Sequence, residues 1–179
     1  MIVGEGKYRY EFVEGWEQLP AGWSHGDVAG VATDSQNRVY VFNRSEHPVI
    51  IYDRDGKFLD TWGDLTLYPR PHGITIVNDE VYLVDATDQT VRKTTLDGKI
   101  LLTLGVSGQV SDTGYQAKAP SNLTTIKRAA GPFNVPTRAA VGANGDIYVG
   151  EVTHTALSAF YKTTTWHADC ASLTKFARI

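Results

Sequence analysis

The sequence predicts an all-β chain built from a repeated four-stranded unit, and three observations carry that expectation. Residues suited to a pleated, half-buried surface are abundant: 17 Val, 9 Ile and 19 Thr stand beside 4 Trp, 9 Tyr and 6 Phe in 179 residues. Gly30-Val31-Ala32-Thr33-Asp34 followed by Arg38-Val39-Tyr40-Val41-Phe42 is echoed by Gly73-Ile74-Thr75-Ile76-Val77 followed by Glu80-Val81-Tyr82-Leu83-Val84. Tyr40 to Tyr82, Gly56 to Gly98 and Gly63 to Gly105 are each 42 residues apart, a single period that marks a structural repeat.

Each unit reads as four short strands. In the first unit, an apolar strand at Gly30–Thr33 precedes the aromatic-rich run Val39–Phe42. Val49–Tyr52 then leads through Asp55-Gly56 into Lys57-Phe58-Leu59-Asp60-Thr61-Trp62-Gly63. The second unit repeats this order, with Val91–Thr94 leading through Asp97-Gly98 into Lys99–Gly105. Asp-Gly supplies the positive φ that a tight hairpin needs, so Asp53–Gly56 reads as a turn and not as a calcium loop, which requires a Glu at a spacing absent here.

A third copy begins at Ala139-Ala140-Val141-Gly142 and continues through Asp146-Ile147-Tyr148-Val149. Tyr82 to Tyr148 is 66 residues, and the polar, Gly/Ser/Thr-rich stretch 106–131 holds the surplus as a long loop. A four-stranded repeat of this length is the mark of a β-propeller blade, which buries both faces only between neighbours.

The expected units are blades over about 27–63, 70–105 and 132–179 of a single domain spanning 1–179. Tyr8–Trp16 resembles the fourth strand of a blade, whereas Ser172–Ile179 resembles a third strand that then stops. Three blades do not close a ring. The expected assembly is therefore a homodimer of half-rings with six blades, in which strand 8–16 completes the last blade of the partner.

Composition excludes several functions. The formal net charge of −3, from 17 Lys+Arg against 20 Asp+Glu, leaves no surplus for counterion-driven binding, so no nucleic-acid partner is expected. No stretch reaches the ~18 apolar residues of a membrane helix, so no membrane partner is expected either. The N-terminus lacks an apolar leader core, and the expected compartment is cytoplasmic. Cys170, the single cysteine, cannot form an intramolecular disulfide and has no neighbouring base in sequence. Ser/His/Asp elbows and glycine-rich phosphate loops are also missing.

Three stretches resemble the NHL-repeat β-propellers, and within them the peptidyl-α-hydroxyglycine α-amidating lyases. They are Val28–Ala32 running to Phe42-Asn43-Arg44-Ser45-Glu46-His47, then Arg70-Pro71-His72-Gly73-Ile74, and Gly131-Pro132-Phe133-Asn134-Val135-Pro136-Thr137. The resemblance implies NHL-type blades and a zinc-dependent carbon–nitrogen lyase that releases glyoxylate from a hydroxyglycine-type substrate. It implies His72 as a zinc ligand, Arg44 as the grip on the substrate carboxylate, and the backbone carbonyls of Val31 and Ile74 as calcium ligands. A zinc ion acidifies a bound hydroxyl, and an arginine fork holds a carboxylate through two hydrogen bonds.

Departures from the family pattern weigh against that chemistry. Thr137 stands where the last zinc histidine would be, Arg138 at the calcium carboxylate position, and the blade bearing the middle histidine is missing. A catalytic zinc has three protein ligands as a rule. The expected function is therefore that of a degenerate, non-catalytic propeller holding a small anionic ligand or a peptide at the channel mouth through Arg44, His47 and His72. The metal-dependent lyase is the alternative. His25, His154 and His167 match no metal-ligand spacing.

Overall fold

The computed structural model describes residues 1–110, 133, 135–152 and 173–179, and every regular element among them is a β-strand. An N-terminal hairpin comprises β1 (Ile2–Glu5) and β2 (Tyr8–Glu11). The first blade runs β3 (Val28–Thr33), β4 (Val39–Asn43), β5 (Val49–Tyr52) and β6 (Phe58–Trp62). The second runs β7 (Pro71–Val77), β8 (Glu80–Asp85), β9 (Thr90–Thr94) and β10 (Ile100–Leu104). The third shows β11 (Pro136–Val141), β12 (Ile147–Glu151) and β13 (Leu173–Phe176).

All three sheets are antiparallel meanders with strands in chain order. This is the four-stranded blade architecture expected from the repeats, with the third sheet showing three strands among the described residues. No described helix is long and apolar enough to cross a membrane. Of the expected loop 106–131, residues 111–131 lie outside the described residues, as do His154, Trp166, His167 and Cys170.

Local chemistry sets the turns. Asp53 Oδ1 accepts the backbone N–H groups of Asp55 and Lys57, and Gly56 takes φ 82°, which closes β5 onto β6. In the second blade the Thr95 hydroxyl accepts the Lys99 N–H while Gly98 takes φ 87°. Asn78 and Asp79, both at positive φ, form the two-residue link between β7 and β8.

Blades stack through apolar clusters, because a sheet with two apolar faces must cover both. Between the first and second blades, Tyr40, Phe42, Val49 and Ile51 pack against Tyr68, Ile74, Val81 and Leu83. Between the second and third, Tyr82, Val84 and Val91 pack against Phe133, Ala139, Ile147 and Val149. The remaining face of the first blade, with Val41, Ile50 and Tyr52, is covered by Trp16, Leu19 and Trp23.

The N-terminal segment differs from the single strand expected over 8–16. Tyr8–Glu11 folds back on Ile2–Glu5 through a turn at Gly6-Lys7, with every residue of the hairpin exposed. A two-residue turn with Gly6 at φ 56° makes this local pairing available to an isolated chain.

Candidate functional site

The innermost strand of each blade carries the same irregularity. Pairing skips one residue between Val28 and Gly30, between Pro71 and Gly73, and between Pro136 and Arg138. The bulged residues are Ala29, His72 and Thr137. A bulge re-aims one side chain without ending the ladder, so these three positions are equivalent around the inner strands.

Glycine follows two of the bulges, and the reason is close approach. A Cβ on Gly30 would lie 3.0 Å from Ile74 Cγ2 and 3.2 Å from Ile74 N, and one on Gly73 would collide with Thr137 O. The inner strands thus meet backbone to backbone at one end. Val31 and Ile74 occupy matching register positions there, opposite Val41 and Leu83.

His72 sits at the centre of this arrangement. Its Nδ1 is buried without a hydrogen-bond partner. Burial and the facing guanidinium of Arg44 push the imidazole below its ordinary pKa, with Arg138 and Arg70 adding to the effect, while a hydrogen bond with the Thr137 backbone opposes it. Three arginines therefore converge electrostatically on one end of the inner strands.

Arg44 follows β4 and is partly committed. Its Nε–H donates to Pro71 O at 3.2 Å, and its Nη1 lies 3.3 Å from Asp27 Oδ2, an exposed carboxylate. The remaining guanidinium N–H donors are still available for a planar anion. Next to it, Asn43 and Ser45 hold the loop: Asn43 Nδ2 donates to His47 O at 2.9 Å, and the Ser45 hydroxyl accepts the His47 N–H.

That loop places the His47 ring flat on Trp23, with centroids 3.4 Å apart and planes 10° from parallel. Arg44, His47, Trp23, Ser24, Ser45 and Glu46 line one open cleft of about 620 Å³. The structure thus brings Arg44 and His47 into one cleft and sets His72 beside it, outside the lining. Asp85 accepts the N–H groups of Arg70, Thr87 and Asp88 and holds the approach to β7, as a turn-forming acid does. Burial pushes its carboxyl up against those hydrogen bonds.

Trp23, which is not among the candidate residues of the sequence, is thus part of the cleft wall as well as a cover on the first blade. The available signal was its position shortly before the innermost strand β3.

The fit to a zinc ion is poor. The two positions equivalent to His72 carry Ala29 and Thr137, and no group of three His, Cys, Asp or Glu side chains gathers among the described residues. For calcium at the Val31 and Ile74 carbonyls, Arg138 brings a positive charge where a hard cation needs oxygen ligands. Neither ion finds a matching ligand set among the described residues.

No family model matches the chain, and no curated protein matches it. Solved structures do. A catalytically inactive virginiamycin B lyase from Staphylococcus aureus with quinupristin is 15% identical at a TM-score of 0.50, over 89% of this chain and 44% of that one. A streptogramin B lyase is 12% identical, with a TM-score of 0.49, over 76% and 40%. A gluconolactonase from Xanthomonas campestris is 14% identical, with a TM-score of 0.45, over 72% and 37%. The chain spans less than half the length of each. At such identity the likeness concerns the fold, a β-propeller-like array of blades.

Proposed function

We propose that this chain is a non-catalytic binding propeller that holds a small carboxylate-bearing ligand, or the C-terminus of a peptide, at the end of the inner strands. One observation carries the reading: Arg44 lines the same cleft as the Trp23–His47 stack, on the side where Arg70 and Arg138 also bear on His72. The guanidinium supplies paired donors for a carboxylate, and the stacked rings supply a flat apolar wall for the adjoining peptide plane. Asp27 is the competing anion. Its exposed ion pair with Arg44 is worth only ~0–1 kcal/mol, so a better placed carboxylate displaces it.

Calorimetric titration with N-acetylglycine against N-acetylglycinamide tests the reading. Binding of the acid and loss of at least about tenfold affinity in Arg44→Ala are expected, from the ~1.5–3 kcal/mol of a charged hydrogen bond. Equal binding of acid and amide, or no binding of either, sinks it. The lyase reading requires stoichiometric zinc, which elemental analysis of the purified protein detects directly.

A further inference from the structure

Trp62 ends β6 by lying over the turn of the next blade. Its Nε1–H donates to Leu96 O at 3.1 Å, and its ring stands 2.7 Å from where a Cβ on Gly98 would be. Trp16 makes the same contact one blade earlier: its Nε1–H donates to Arg54 O at 3.0 Å, and its Cδ2 lies 3.2 Å from a Cβ position on Gly56. Arg54-Asp55-Gly56 and Leu96-Asp97-Gly98 are equivalent turns. Trp16 therefore occupies the last position of a fourth strand belonging to a blade that would precede the first one.

Aligned on the tryptophans, Phe12-Val13-Glu14-Gly15-Trp16 matches Phe58-Leu59-Asp60-Thr61-Trp62 of β6 and Ile100–Leu104 of β10. Yet residues 12–16 form no strand here, and Phe12 and Val13 are 59% and 60% exposed. At the other end of the array, β13 is the outer strand of a blade with three strands among the described residues, with Leu173 68% exposed. Among the described residues, one end of the array thus carries an unpaired fourth-strand segment and the other an open strand edge, the condition that invites strand addition.

We propose that residues 12–16 of a second copy form the fourth strand on β13. The register follows from the two complete blades. β5 meets β6 as Val49↔Trp62, Ile50↔Thr61, Ile51↔Asp60 and Tyr52↔Phe58, skipping Leu59, and β9 meets β10 in the same way, skipping Leu101. Because Tyr148↔Lys175 corresponds to Tyr40↔Ile51, β13 takes the place of β5. Trp16 then faces Leu173, Gly15 faces Thr174, Glu14 faces Lys175 and Phe12 faces Phe176, with Val13 bulged.

Two complementarities emerge that the register was not chosen to produce. A carboxylate falls opposite an ammonium group, and an aromatic ring opposite Phe176, which already packs edge-on to Phe133. Lys175 keeps its ion pair with Asp146 at 2.5 Å and is half exposed toward a further partner.

The donor is a second copy because residues 12–16 cannot reach β13 of their own chain. Trp16 lies on the face of the first blade turned away from the second, and the third blade lies beyond the second. Packed sheets stand ~10 Å apart, whereas facing residues of paired strands stand ~5 Å apart. Arg138 replaces the glycine of the other inner-strand contacts, so this junction is made at the outer strands.

Light scattering of the full chain at about 50 μM tests the proposal. Two copies are expected for the wild type and one for Val13→Pro with Glu14→Pro, which removes ladder donors outside every strand of the single chain. In a Cys170→Ser background, mixed Glu14→Cys and Lys175→Cys chains are expected to form a disulfide on oxidation. Glu14→Cys and Thr174→Cys chains are not, because adjacent residues point to opposite faces. A single-chain mass for the wild type, an unchanged mass for the proline variant, or cross-linking only in the second mixture overturns it.

Discussion

Arg92 and Asp88 form an ion pair at 2.5 Å with both side chains 7% exposed. The guanidinium also donates to Leu67 O and to the Thr90 hydroxyl, and it lies 5.4 Å from the Tyr68 ring centroid. Burial works against the Asp88 charge, but hydrogen bonds from Ser107, Thr90 and Arg92 outweigh it and hold the carboxyl below its ordinary pKa. This network ties β9 to the segment entering the second blade.

Arg92→Leu leaves Asp88 buried without its counter-charge, and a loss of ~3–5 kcal/mol of folding stability is expected. Urea denaturation followed by circular dichroism measures it. A loss below about 1 kcal/mol would show that water reaches the pair.

Gly73→Ala places a methyl group against the Thr137 carbonyl, where backbone must move. Gly30→Ala approaches Ile74 Cγ2 at 3.0 Å and Ile74 N at 3.2 Å, an overlap that a shift of a few tenths of an ångström relieves. Gly73→Ala is expected to cost ~1–3 kcal/mol and Gly30→Ala clearly less. The denaturation midpoints of the two variants compare them directly, and the reverse order refutes the geometry.

His72 makes stability depend on pH in a defined direction. Its imidazole is held below the ordinary value of 6.5 in the folded chain, so the unfolded chain takes up the proton first as the pH falls. Its contribution is complete above that value and declines as the pH drops through it. Between about pH 7.5 and 5.5 the melting temperature is expected to fall, and His72→Gln is expected to flatten part of that slope. A variant with the wild-type slope assigns the dependence to another group.

Much of the blade framework was legible because the features that set it are local. Asp-Gly turns, the alternation around Tyr40 and Tyr82, and the 42-residue period all lie in short windows. The bulge that makes Ala29, His72 and Thr137 equivalent was not legible, since it is a property of pairing between strands. The same holds for the Trp23–His47 stack, which joins a loop before β3 to one after β4. At the N-terminus the likeness to a fourth strand was visible, but its register was not. That required seeing Trp16 take the contact that Trp62 makes one blade later.

Among the described residues, only the second blade is joined to a neighbouring blade by an apolar cluster on each face. Such an array opens from its ends, and amide protons report the order. Those of β8, with Val81 and Val84 fully buried, exchange with solvent only when the array itself gives way. Those of the hairpin Ile2–Glu11 exchange as fast as it frays, because it contributes no residue to any of the three apolar clusters.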